Sequence, residues 1–141
     1  MPALLTLDET QLDRAGYVMA SPQILIVDDE VQLCDLLAEI LEKSFFEVLI
    51  AADGIEALEL LKVYPSIQLV LSDVLMPRMN GYELVERALE FRPELKVLIM
   101  TAYAAEMPPP ALLQAREIRT LHKPFDVVEL CELAEGMLSR P

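Results

Sequence analysis

With 141 residues, 54% of them apolar, the chain is long enough for one domain with a real core and too short for two ordinary ones. A formal net charge of −13 argues against direct nucleic-acid binding, which relies on Lys and Arg neutralising phosphates. No apolar run approaches the ~18–20 residues of a membrane span. Asp8 and Glu9 interrupt an N-terminus that lacks the basic start of a secretory signal, so a cytoplasmic protein is expected.

Residues 1–22 read as a leader, although Asp8 to Ala15 could form a short helical turn ended by Gly16. A regular pattern begins after Pro22. Gln23 to Val27 is a short apolar run, read as a buried strand. Glu30 to Lys43 carries Leu33, Leu36, Leu37, Ile40 and Leu41 as a helical stripe. Phe46 to Ala51 reads as a second strand and Gly54 to Val63 as a second helix. Ile67 to Leu71 is a third strand, running into Ser72 and Asp73. Gly81 to Phe91 reads as a helix that Pro93 terminates, followed by a strand at Lys96 to Met100.

Pro108, Pro109 and Pro110 confine the next helix to about Pro110 to Arg116, after an extended loop from Tyr103 to Pro109. Ile118 to His122 is a weaker fifth strand. Asp126 can cap a last helix whose positions Val127, Leu130, Cys131, Ala134, Met137 and Leu138 are apolar. Cys34 and Cys131 fall on apolar helix positions and are expected to be buried, reduced thiols; with His122 the only histidine, a zinc site is not expected. Alternating strands and helices predict a doubly wound α/β domain with a five-stranded parallel sheet, spanning residues 23–139.

Polar residues stop the apolar runs in a consistent place. Asp28 and Asp29 follow the first strand, Asp73 the third, Thr101 the fourth and Lys123 the fifth. All five therefore lie at the carboxyl edge of the sheet, where doubly wound folds bind ligands. Three crowded carboxylates need a cation between them, and Mg²⁺ suits them as a hard ion that keeps other positions for water and phosphate oxygens. Lys123 and Thr101 could neutralise and hydrogen-bond phosphoryl oxygens, with Asp73 as a carboxylate nucleophile. Singly, each residue could be a cap or turn residue, but four strand ends carrying matched chemistry point to a site.

The stretches Ile24 to Glu30, Ala52 to Leu58, Asp73 to Gly81, Met100 to Ala102 and Lys123 to Phe125 resemble the motifs of response-regulator receiver domains from two-component systems. The resemblance covers about residues 23–139. It implies a flavodoxin-like fold with strand order 2-1-3-4-5. It also implies that Asp73 is the phosphoacceptor, supplied by a histidine kinase or phosphotransfer protein. Asp29, Asp73 and the Leu75 backbone carbonyl would bind Mg²⁺ directly, with Asp28 acting through a metal-bound water. Thr101 and Lys123 would hold the phosphoryl oxygens, and the Lys123–Pro124 bond would be cis. Catalysis would extend only to the protein's own phosphorylation and dephosphorylation.

Thr120 stands three residues before Lys123, where receivers commonly carry a Tyr or Phe coupled to the threonine of the switch. The switch region is therefore read as Thr101, Tyr103 and Thr120, with signalling through reordering of the loop from Ala102 to Pro109. Tyr103 and Leu75 would flank the approach of a hydrolytic water. A receiver-fold interaction module that no longer uses phosphorylation is the alternative, as is a receiver excised from a hybrid kinase or larger regulator; Met1 and the leader favour an independent protein. A haloacid-dehalogenase-type phosphohydrolase would need an Asp-x-Asp motif after the first strand, and Asp28-Asp29-Glu30-Val31 has the wrong spacing. The sequence names no downstream target and leaves homodimerisation open.

Overall fold

A computed structural model describes residues 21–74, 76, 78–101 and 117–138. Its strands are β1 (Ile24–Val27), β2 (Val48–Ala51), β3 (Leu69–Asp73), β4 (Lys96–Thr101) and β5 (Glu117–His122). Its helices are α1 (Val31–Glu42), α2 (Gly54–Val63), α3 (Gly81–Phe91) and α4 (Val127–Leu138). The five strands form one parallel sheet in the order β2-β1-β3-β4-β5, as expected.

Both faces of the sheet are dry at β1, β3 and β4, which is why these strands read as continuous apolar runs rather than alternating ones, whereas only Leu121 of β5 is buried. In β1, Ile24 and Ile26 pack against α1 and α4 with Leu37, Leu41, Leu130 and Ala134. Leu25 and Val27 point the other way, toward Ala57, Leu61, Leu84 and Ala88 of α2 and α3. All four β1 side chains are fully buried, each stabilising the fold by ~1.5–3 kcal/mol.

Three helices begin on the same local device. The side chains of Asp53, Asn80 and Asp126 accept hydrogen bonds from the backbone N–H of Glu56, Glu83 and Glu129. Each satisfies one of the unpaired donors of a first turn, at a position worth about 1 kcal/mol. Helix α3 stops at Arg92, whose side chain then donates to the carbonyls of Leu61, Pro65 and Ile67 and ties the ends of α2 and α3 together.

The boundaries of α2 and α3 are those read from the sequence, and several others move. Gln23 lies outside β1, Phe46 and Glu47 outside β2, and Ile67 and Gln68 outside β3. Backbone bonds link these residues instead as a lower rim: Ile24 donates to Glu47, and Gln68 and Leu69 both donate to Gln23. Apolar sequence extends past the β3 ladder because the rim residue Ile67 is itself buried. Glu30 caps α1 rather than joining it, while β4 takes in Thr101 and β5 takes in Glu117. The leader, the expected helix from Pro110 to Arg116 and the loop before it lie outside the described residues. Among the described residues, no helix is long and apolar enough to cross a membrane.

Candidate functional site at the carboxyl edge of the sheet

Register decides which strand ends meet. Val27 pairs with Ser72, so the next step along β1 and β3 sets Asp28 beside Asp73. Asp73 pairs with Met100, one residue before Thr101. Thr101 pairs with His122, one residue before Lys123. The four strand ends thus form one line across the centre of the sheet, and Lys123 is anchored there by its N–H donating to the Thr101 carbonyl at 2.8 Å.

Asp28, Asp29 and Asp73 each offer a carboxylate oxygen, and these oxygens lie within 4.8 Å of one another. Asp29 is exposed, Asp73 half-buried and Asp28 buried. Lys123 Nζ stands 3.4 Å from Asp73 Oδ2. The two oxygens of Asp28 differ in their use. Oδ1 accepts from the Glu30 N–H at 2.9 Å and fixes the turn into α1. Oδ2 is buried and has no hydrogen-bond partner among the described residues. Burial, reinforced by the negative charge of Asp73, raises the Asp28 pKa from 3.8 to about 6.

An orphaned buried oxygen beside two further carboxylates fits a hard divalent cation, for which oxygen donors with space for water are the preferred set. Asp28, Asp29 and Asp73 are the side chains that could hold one. The Leu75 carbonyl expected to join them, and Tyr103 of the expected switch, lie outside the described residues. Thr101 is buried at the end of β4, and Thr120 is half-buried in β5 opposite Ile99. The Lys123–Pro124 peptide is cis, as the resemblance implied.

Nearby, Arg78 reaches across from the loop before α3 to within 3.6 Å of Asp53, which caps α2. His122 is exposed at the end of β5. Cys34 is buried, its thiol donating to the Asp28 carbonyl at 3.3 Å, whereas Cys131 is only half-buried, which corrects the expectation for that residue. One contributor was not found from sequence: Ser72 has a buried hydroxyl directed at Asp73, and a polar residue inside an apolar strand was the available signal for it. Lys96, at the opposite edge of the sheet where β4 begins, is a buried lysine whose ammonium donates to the Met137 carbonyl.

The chain is a doubly wound α/β domain of flavodoxin-like order, with an acidic cluster and a lysine at the carboxyl edge of its sheet. The sequence profile of the response regulator receiver domain matches residues 24–135, and the chain belongs to that family of two-component signalling domains. It is 35% identical over 116 residues to the response regulator receiver protein CpdR of Brucella abortus, covering 82% of this chain and 96% of that one. It is 38% identical over 118 residues to the transcriptional regulatory protein CpxR of Escherichia coli, covering 84% of this chain but 50% of CpxR. Among solved structures, a CheY-like receiver domain protein from Methanospirillum hungatei superposes with a TM-score of 0.76 at 33% identity, covering 85% of this chain and 95% of that one. Receiver domains bind Mg²⁺ in an acidic pocket, and the Asp28–Asp29–Asp73 cluster is of that composition.

Proposed function

We propose that the protein is a Mg²⁺-dependent receiver that accepts a phosphoryl group on Asp73 from the phosphohistidine of a histidine kinase or phosphotransfer protein, and that the modified form signals to a protein partner. The single observation that carries this reading is the position of Asp73, between two further carboxylates on one side and Lys123 on the other.

In the transfer, an Asp73 carboxylate oxygen forms a bond to phosphorus. The phosphorus–nitrogen bond of the donor breaks, its electron pair stays on the imidazole nitrogen, and that nitrogen takes up a proton. Asp73 thereby becomes an acyl phosphate. Lys123 neutralises an oxygen of the incoming group, and Thr101 supplies a hydroxyl to another. Bound Mg²⁺ would supply charge neutralisation to the phosphoryl oxygens. Asp28, Asp29 and Asp73 would hold it, with Asp28 acting through water. Residues Thr101, Tyr103 and Thr120 form the proposed switch, and the absence of an aromatic at 120 directs the proposal to the loop after Thr101 rather than to a ring rotation.

Incubation with acetyl phosphate and Mg²⁺, followed by intact mass, tests the reading. The wild type should gain one phosphoryl group and Asp73→Asn none. No gain on the wild type would favour an interaction module that does not use phosphorylation.

A further inference from the structure

Asp73 is the last residue of β3, and β1 pairs only as far as Ser72, so the Asp73 carbonyl lies past the end of that ladder. It is not left bare. The Ser72 hydroxyl, fully buried, donates to it at 2.9 Å. The N–H of the same peptide, on Val74, donates to the Met100 carbonyl at 3.3 Å. The following carbonyl, that of Val74, accepts from the Gly81 N–H at 2.8 Å. Both polar ends of the Asp73–Val74 peptide are therefore held, and the first residue of α3 holds the next. The fit is close: a methyl group on Gly81 would come within 2.3 Å of the Asp73 oxygen and 3.1 Å of Ser72 Oγ.

We propose that Ser72 is a positioning residue for the transfer: its hydroxyl, confined against Gly81, fixes the Asp73–Val74 peptide and so the direction from which the Asp73 carboxylate meets a phosphodonor. This rests on Asp73 being the acceptor. A carboxylate leaves the backbone through only two rotatable bonds, so a shift of the Asp73 backbone, which the held peptide resists, displaces the attacking oxygen, and small displacements of reacting atoms cost rate steeply.

The test compares wild type, Ser72→Ala, Ser72→Thr and Asp73→Asn. It measures initial phosphorylation rates against acetyl phosphate at saturating Mg²⁺, with the ¹³C shift of the Asp73 carbonyl recorded in the metal-free proteins. Ser72→Ala should stay folded, move the carbonyl shift as the hydrogen bond is lost, and lower the maximal rate about tenfold with the half-saturating donor concentration unchanged. Ser72→Thr, which retains the hydroxyl, should restore both readouts. An unchanged maximal rate in Ser72→Ala, a fall explained by unfolded protein, or a loss that Thr does not restore would each overturn the assignment. Uptake of the phosphoryl group by Asp73→Asn would instead overturn the acceptor reading, and the Ser72 role with it.

Discussion

Lys123 Nζ lies 3.4 Å from Asp73 Oδ2, although Asp73 ends β3, Lys123 follows β5, and β4 runs between those strands. The long side chain spans the intervening strand end and brings a positive charge to a cluster of three carboxylates. Replacing Lys123 with Gln keeps much of its length and removes the charge. Phosphorylation of Asp73 by acetyl phosphate is expected to slow by about 10²-fold, comparable to the loss of one preorganised donor elsewhere. A rate within a factor of about three of wild type would show that the ammonium is dispensable.

Asp28 makes metal-free stability depend on pH in a defined direction. Its folded pKa is raised to about 6 from 3.8, so between those values the native state holds a proton that the unfolded chain has lost. The contribution is complete below the lower value and is lost as pH rises through about 6. Urea unfolding in EDTA should show it, with Asp28 contributing on the order of 2–3 kcal/mol less at pH 7 than at pH 4. Asp28→Asn should remove that component and be more stable than wild type at pH 7 in EDTA. Mg²⁺ should stabilise wild type most above pH 6, where the carboxylate is ionised.

Two glycines should respond unequally to the same added methyl group. At Gly54 it would lie 2.7 Å from the Met79 sulfur, at the end of a flexible thioether that can move aside. At Gly81 it would meet the Asp73 backbone oxygen, which is held in place. Gly81→Ala should cost about 3 kcal/mol and Gly54→Ala about 1 kcal/mol, read as shifts in urea midpoint at constant slope. Equal costs would show that the Asp73 backbone is free to yield.

The two thiols should also separate by reactivity. Burial and the neighbouring charge of Asp28 push Cys34 up to about 12, so it has almost no thiolate at neutral pH. Cys131 is half-buried, near Ser44. A disulfide reagent at pH 8 should modify Cys131 in the native protein and reach Cys34 only on unfolding. Prompt modification of both would show that α1 opens readily at its first turns.

Much of this domain is written in local pattern. The helical stripes, the capping Asp126 and the apolar strands bounded by polar residues allow the elements to be read in order, because each reflects interactions among neighbours in the chain. Asp28, Asp29, Asp73, Thr101 and Lys123 were legible for the same reason: each interrupts an apolar run at a strand end. Strand limits were not, since the rim beyond the ladders is itself joined by backbone hydrogen bonds and includes the buried Ile67.

Only the tertiary structure decided how those strand ends meet and what holds them. The register set Asp28 beside Asp73, and packing across β4 brought Lys123 to the same carboxylate. The separate fates of the two Asp28 oxygens depend on a local turn for one and on burial by distant residues for the other. Ser72 and Lys96 look in sequence like stray polar residues in strands. One faces the start of α3 and the other the end of α4, and that complementarity exists only once the helices are laid against the sheet. The chemistry was therefore local and readable, whereas its geometry came from contacts between residues far apart in the chain.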